Sequence, residues 1–292
     1  MISEEIFAQK IEKRVFDTIK NYKLIEKNDK VLVALSGGKD SMSLLEILSK
    51  KFTVEAAFID LGIKDFSEES LKRIKEFCNY KKVTLKIFNL KEELGFSISE
   101  ITEIIKKLNM NTCNTCGVLK RYLLNKKSKF YDKLATGHNL DDEISSIFMN
   151  IFKANIRANA SLGPKTGVLV DKKFVQRIKP LYFCTNEEIK KYALIKKIPF
   201  FDQKCPLREG AFRVFVSEEI NKLIQTNEKF NDAKQKIIKS YLKYLKPKSL
   251  ESLKKQKLEI NYCSECGEPS SKTICNACRI IKLIRENFSK EK

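Results

Sequence analysis

Cys263-x-x-Cys266 and Cys275-x-x-Cys278 are two cysteine pairs separated by eight residues, with Gly267 directly after the second cysteine. Two such knuckles supply four thiolates that can close tetrahedrally on Zn²⁺, and a closed tetrahedron keeps no position open for catalysis. Disulfides are the other use of paired cysteines. The leading stretch MISEEIFAQKIEK argues against them, because it carries acids early and has no apolar signal core, so a reducing compartment is expected. Cys113-x-x-Cys116 stands alone, and its spacing by itself fits a redox motif, half a zinc site or chance. Cys78, in an amphipathic stretch, and Cys184, in an apolar Leu-Tyr-Phe-Cys run, read as buried small hydrophobes.

Ser36-Gly37-Gly38-Lys39-Asp40-Ser41 follows an apolar run, 30–36, and precedes the apolar helical stretch MSLLEILSK. Strand, tight turn and helix in that order make an anion cradle. The glycines let backbone N–H groups approach a phosphate, and the helix N-terminus adds its positive end. Lys39 supplies a point charge, and Ser36 and Ser41 supply hydroxyls. The G-x-x-x-x-G-K-[ST] spacing of a Walker loop is absent. His138 is the one histidine, so paired-histidine zinc sites are excluded and any Ser/His or Cys/His catalytic pair would need it. It lies in Gly137-His138-Asn139-Leu140-Asp141-Asp142-Glu143, at the carboxyl end of the short run 133–137. Asp142 and Glu143 are also what a helix dipole favours in a first turn.

The elements that must hold these residues alternate. Residues 3–22 repeat apolar positions at helical spacing; 52–60 and 82–88 read as strands, with 67–80 as a helix between them. Helices are also expected around 99–108, 141–152, 186–197 and 217–225, and over a Lys-rich stretch at 229–258, whereas 155–180 is irregular. Strands alternating with helices imply an α/β fold with a doubly wound parallel sheet, whose ligands sit at the carboxyl ends of the strands. The expected division is a leading helix (1–28), a nucleotide-binding domain (29–225), a basic helical extension (226–258), and a zinc ribbon with a terminal helix (259–292). No segment approaches the roughly 18 apolar residues of a membrane span, so no membrane partner is expected.

The 292 residues carry 57 basic and 37 acidic side chains, a net charge of +20. Lysine supplies 48 of the basic residues and arginine 9, so part of the excess is compositional. Its placement says more. Residues 120–133 hold six basic side chains and one acidic, and 231–292 hold fifteen and seven. Basic excess beside the cysteine motifs favours a polyanion partner over a merely solvated surface.

The glycine loop resembles the pyrophosphate loop of the PP-loop ATP pyrophosphatases. Asn-Thr-Cys113-Asn-Thr-Cys116-Gly117-Val-Leu-Lys120-Arg121 resembles the CxxCGxxKR segment of the TtcA/TtuA family of tRNA thiolases, and 137–143 resembles that family's GHxxDD segment. Cys205-Pro206 stands where the family places a third, distant cysteine. The resemblance implies ATP-dependent adenylation of a tRNA uridine C2 carbonyl, then sulfur transfer from a [4Fe–4S] cluster on Cys113, Cys116 and Cys205, with one iron left without a protein ligand. It implies ATP·Mg²⁺ on Ala34, Ser36, Gly37, Gly38, Lys39, Asp40, Ser41, Gly137 and His138, with Asp60 on the adenosine side. Lys39 and Lys120 would neutralise phosphate charge, and Asp141 would orient Mg²⁺ or the substrate. The C-terminal ribbon points to the 2-thiouridine branch. That branch normally begins with a second ribbon, and here no cysteine precedes Cys78. Further implications are a cytoplasmic homodimer and a sulfur donor that is free sulfide or a ubiquitin-like thiocarboxylate protein. Other readings are 2-thiocytidine or 4-thiouridine synthesis, a lysidine synthetase-like enzyme, and a non-enzymatic zinc-ribbon RNA-binding protein.

Overall fold

Val31–Leu35 (β1), Val54–Asp60 (β2), Leu85–Asn89 (β3), Lys133–Thr136 (β4) and Gln176–Ile178 (β5) form one parallel sheet in the order β3-β2-β1-β4-β5. β1 and most of β2 are buried on both faces, which is why they read as continuous apolar runs rather than alternating ones. The computed structural model describes residues 2–167, 174–203, 205–208, 212–226, 232–254 and 261–288. The helices, in chain order, are α1 (Ile2–Asn21), α2 (Lys39–Leu48), α3 (Phe66–Lys81), α4 (Leu90–Leu94), α5 (Ile98–Lys107) and α6 (Thr112–Lys127). Then follow α7 (Leu140–Phe152), α8 (Ile156–Ala160), α9 (Asn186–Ile195), α10 (Phe212–Gln225), α11 (Ala233–Ser240), α12 (Lys246–Lys254) and α13 (Asn276–Phe288). A π-helical turn, Tyr241–Leu245, joins α11 to α12.

Two apolar cores sandwich the sheet. Leu44, Leu45 and Leu48 of α2 pack with Ile11 and Val15 of α1, Ile74 and Phe77 of α3, and Ile189 and Tyr192 of α9 against Val31, Val33 and Ala135. On the opposite face, Ile101 and Ile105 of α5, Leu119 and Leu123 of α6, and Ile280, Ile281 and Ile284 of α13 pack against Leu32, Ala57 and Leu134. Burying Leu and Ile side chains contributes about 1.5–3 kcal/mol each. The terminal helix therefore shares a core with the sheet. A third cluster joins Leu140, Ile144 and Ile147 of α7 to Tyr182, Ile238 and Tyr241.

The doubly wound α/β sheet expected from the alternating pattern is present, and Cys78 and Cys184 are buried in the first core. Among the elements not legible in the sequence, two bear on the site. β5 falls in the irregular stretch; it is a three-residue strand that pairs with β4 on one side and meets Lys165 in an isolated antiparallel bridge at Ile178 on the other. The Cys113-x-x-Cys116 motif had been assigned no element and lies in the first turns of α6. The expected helix at 229–258 is α11, the π turn and α12 over 233–254, and the ends of the expected span lie outside the described residues.

Candidate active site

The chain runs β1, β2, β3 outward in one direction, then returns to place β4 and β5 on the other side of β1. The reversal between β1 and β4 opens a crevice at their carboxyl ends, the standard ligand position in open α/β sheets. The loop after β1 is 36–38 and the loop after β4 is 137–139, so both sequence motifs frame the same crevice. They touch. A Cβ on Gly137 would lie 2.8 Å from the Ser41 backbone N and 3.0 Å from the Asp40 carbonyl carbon, so only glycine permits this approach.

Gly37 has φ +78°, a left-handed conformation that turns the chain sharply into α2. Gly38 caps α2 and offers no side chain to its first N–H groups, which leaves them available to an anion. Ser41 Oγ accepts from Ser36 N at 3.1 Å and donates to Gly38 O at 3.0 Å, which closes the loop into a ring. Lys39 Nζ reaches Asp40 Oδ2 at 2.8 Å and the Asn186 side chain. Burial raises the Asp40 carboxyl, with Lys39 opposing. Asp60 accepts from Gly62 N at 2.8 Å and Asn89 Nδ2 at 3.3 Å, which places it two strands' carboxyl ends away from β4.

Three residues to which the sequence assigned no role, Asn139 within the second motif and Asn186 and Phe201 outside both, brace the two loops. Asn139 caps α7 with Oδ1, accepting from Asp141 N at 3.0 Å, while its Nδ2 donates to Asp40 Oδ1 at 2.9 Å. Asn186 accepts from Lys39 and donates its backbone N–H to Asp141 Oδ2 at 2.7 Å. Phe201 N donates to Gly37 O at 2.8 Å. Asp141 gives its other oxygen to Lys234 Nζ at 2.5 Å, so both its oxygens have protein partners; Asp142 pairs with Arg213 at 3.1 Å. Glu143 and Lys179 form a buried ion pair beneath the motif. The readable sign of Asn186 was the capping box that Thr185 and Glu188 form at the start of α9.

His138 Nδ1 lies 3.0 Å from Thr136 Oγ1. Its imidazole meets the solvent of the crevice but is ringed by protein, and its pKa is held well below the ordinary value. Desolvation is the main cause, followed by the positive charges of Lys179, Arg213, Lys120 and Arg121. Those charges connect the nucleotide loops to the cysteines, for Lys120 and Arg121 follow Cys116 by one turn on α6.

Cys113 Sγ donates to Leu207 O at 3.2 Å, which brings the 205–208 turn against the start of α6. Cys205 lies four residues after Phe201, whose backbone is bonded to the glycine loop, so the third cysteine is at most about 14 Å of chain from it. Burial pushes the Cys116 thiol up to about 11, with Lys120 opposing and the Cys205 and Cys113 sulfurs adding to the rise. Three thiols from two elements thus converge beside Lys120. The other six of the nine cysteines are the four of the ribbon and the two buried in the core. This donor set fits a cluster that takes three protein thiolates and keeps one vertex for something else.

The ribbon is a separate site. Asn261–Tyr262 (β6) and Pro269–Ser270 (β7) form a small antiparallel hairpin, and the sulfurs of Cys263, Cys266, Cys275 and Cys278 all lie within 4.8 Å of one another. Cys275 N donates to Cys263 Sγ at 3.2 Å and Cys278 N to Cys275 Sγ at 3.4 Å, an arrangement that stabilises thiolates. All nine cysteines are free thiols, so the disulfide alternative does not hold in this structure.

Residues 5–224 match the PP-loop domain family. The chain is 37% identical to the tRNA-5-methyluridine(54) 2-sulfurtransferase of Pyrococcus horikoshii over 98% of its own length and 90% of that protein's. The chain belongs to the PP-loop family of tRNA thiolases. Within it, the Thermotoga maritima tRNA-5-methyluridine(54) 2-sulfurtransferase is 32% identical over 99% of this chain and 92% of the relative. Among solved structures, the U34-tRNA thiolase NcsA from Methanococcus maripaludis with its [4Fe-4S] cluster superposes with a TM-score of 0.77 at 29% identity, covering 94% of this chain and 88% of that one. The PP-loop thiolase likeness read from the glycine loop and the CxxCGxxKR segment is therefore borne out across the chain.

Proposed function

We propose that the chain is a tRNA 2-thiouridine synthetase, an ATP-dependent sulfurtransferase. The observation that carries the reading is the convergence of a PP-loop and three otherwise unused cysteines on one crevice, bridged by Lys120. The N–H groups of 36–41 and the α2 N-terminus hold the ATP phosphates with Mg²⁺, and Lys39, held by Asp40 and Asn186, neutralises one of them. Ala34, Gly137, His138 and Asp60 line the adenosine side. The uridine C2 oxygen attacks the α-phosphorus and pyrophosphate leaves, which turns a poor leaving group into AMP. A sulfur nucleophile then adds at C2 and AMP departs. Lys120, between the phosphates and the thiols, offsets the negative charge present in both steps. Asp141, through Asn186, positions Lys39 rather than touching substrate.

Cys113, Cys116 and Cys205 hold the [4Fe–4S] cluster, which when bound supplies a soft open site for the sulfur. Cys263, Cys266, Cys275 and Cys278 hold structural Zn²⁺. Residues 29–225 form the catalytic unit, with the basic extension and the ribbon as accessories. The reading places the modification at uridine 54, the position named for the relatives at 37% and 32% identity. It also takes the protein to be a cytoplasmic homodimer with free sulfide or a ubiquitin-like thiocarboxylate protein as donor. Relatives named cytoplasmic tRNA 2-thiolation protein 1 support the compartment, and no helix among the described residues is long and apolar enough to cross a membrane.

Nucleoside mass spectrometry of tRNA from cells lacking the protein, with the modified position mapped, tests the reading. Loss of the 2-thiolated nucleoside at position 54 is expected, restored by the wild-type chain and not by Cys205→Ala, which still binds ATP. Unchanged 2-thiouridine would overturn it, and loss at 34 alone would move the site.

A further inference from the structure

α10 is apolar on two sides, and the chain covers only one of them. Ser217, Ile220 and Asn221 line a narrow gap against Ile144 and Ser145 of α7, and Val216 is the one buried residue of the helix. Elsewhere on its surface Phe212, Phe215, Glu219 and Leu223 are spaced three, four and four residues apart, so they form one stripe. Phe215 is 60% exposed and Leu223 66%. A helix with apolar residues on both sides is normally enclosed by protein on both.

The stripe continues onto α7 and α8. Phe152, 70% exposed, meets the Phe212 ring edge-on at 6.5 Å, and Phe212 stacks with Phe215 at 6.5 Å. All seven residues from 151 to 157 are exposed, Ile151 and Ile156 among them. The three rings leave about 350 Å² uncovered, and Ile151, Ile156 and Leu223 bring the apolar area to about 600 Å², the upper end for a monomer's largest patch. That is also the apolar content of a standard homodimer face, which buries about 800 Å² per subunit, about two-thirds of it apolar. The charges around the rings are of both signs. Lys153 Nζ lies 5.4 Å from the Phe212 ring centre, and Arg157 follows one turn later, exposed. Glu218 and Glu219 stand exposed on α10 beside Phe215, where they would repel a phosphate backbone. A second copy suits them better, because a two-fold axis lets the cations of each copy meet the acids of the other.

We propose that the face built from Phe152, Phe212, Phe215 and the outer stripe of α10 is the surface on which a second copy of this chain docks. The proposal rests on the homodimer of the reading above and says where its subunits meet. The interface lies at the edge of the crevice. Arg213, next to Phe212, bonds Asp142 of the second motif, and Phe212 follows by four residues the 205–208 turn that rests against Cys113. Docking therefore clamps a helix that adjoins the catalytic loops.

Sedimentation equilibrium of the purified holoprotein over about a hundredfold range of concentration tests the surface, with Tm read at each concentration. The wild-type chain has twice the mass of one subunit, and its Tm rises with concentration. Phe152→Glu and Phe215→Glu each raise the dimer dissociation constant about a thousandfold, since the symmetry removes the ring twice. Their Tm no longer depends on concentration. Both keep their affinity for a non-hydrolysable ATP analogue within about twofold, because a substitution at an exposed position leaves the fold intact. Phe215→Leu, which stays apolar, and Phe130→Glu, which alters an exposed ring elsewhere, remain dimers. If one Glu variant binds no nucleotide, the other, on a different helix, decides. A dimer that neither substitution weakens overturns this surface and leaves the homodimer standing. A wild-type chain that is monomeric at every concentration overturns the homodimer, and this surface with it. Loss of tRNA affinity in Glu variants that stay dimeric would give the rings to RNA, and that also overturns the proposal.

Discussion

Asn139 uses one side-chain amide for two purposes, capping α7 through Oδ1 and gripping Asp40 through Nδ2. That double use fixes the distance between the two loops of the crevice, and Gly137 is the residue that lets the distance be so short. His138 then sits exposed at the crevice, within reach of the charges of Lys179, Arg213, Lys120 and Arg121. Desolvation and these charges oppose its protonation, so it is a neutral hydrogen-bonding group at pH 7 and is unsuited to act as a standing cation for phosphate. The sign follows from linkage. The unfolded chain takes up a proton near pH 6.5 that the folded chain refuses, so His138 draws stability down as pH falls below that value and has no effect above it. Because it is the one histidine, its imidazole C2–H resonance can be followed by proton NMR without assignment. We expect a midpoint clearly below 6.5 that moves upward when an anionic nucleotide fills the crevice. A midpoint at or above 6.5 in the free protein would contradict this account.

At the scale of elements, α6 carries most of the site: Cys113 and Cys116 in its first turns, Lys120 and Arg121 in its middle. Its far end is held by the ribbon. Glu268, buried, accepts from the Asn125 side chain and pairs with Lys129 at 2.6 Å, while its carbonyl accepts from Cys263 N at 2.8 Å. One residue thus ties the metal knuckle to the helix of the other cysteines. Glu268→Ala leaves the four ribbon thiols in place but strands Asn125 and Lys129, at a cost of about 1–3 kcal/mol. The expected result is a lower Tm with zinc retained and iron per chain reduced; full iron occupancy at an unchanged Tm would mean that the ribbon does not support α6. The helix itself escaped the sequence reading for a physical reason. Gly117 and Lys120, half-buried, and Arg121, exposed, stand between its apolar positions, so the apolar repeat that betrays a packed helix is interrupted where the chemistry lies. β5 escaped because three residues carry no period. The inner strands were legible because burial on both faces makes them plain apolar runs.

For the whole molecule, motif order and cysteine spacing were legible because each motif is local, whereas Asn186, Phe201 and Glu268 act across more than a hundred residues of chain, and no local pattern encodes such pairings. The net charge of +20 belongs to the same scale. Many of its lysines are spent in ion pairs along exposed surfaces, such as Lys13 with Asp17 and Lys106 with Glu103, and such pairs add little stability. What bears on a polyanion is where cations gather: the charges of Lys179, Arg213, Lys120 and Arg121 all reach His138 at the crevice between the nucleotide loops and α6. A polyanion bound there releases its condensed counterions, so its affinity must fall steeply with salt. A nucleotide gripped mainly by backbone N–H groups in a closed glycine loop has far less to lose. A footprint of about six phosphates predicts roughly a 10³-fold loss of tRNA affinity between about 50 and 200 mM salt. Over the same range nucleotide affinity should change by less than about tenfold. Parallel filter-binding and calorimetric titrations read the two slopes. Equal slopes would mean that the charge is surface solvation alone, and that the crevice does not treat its two polyanions differently.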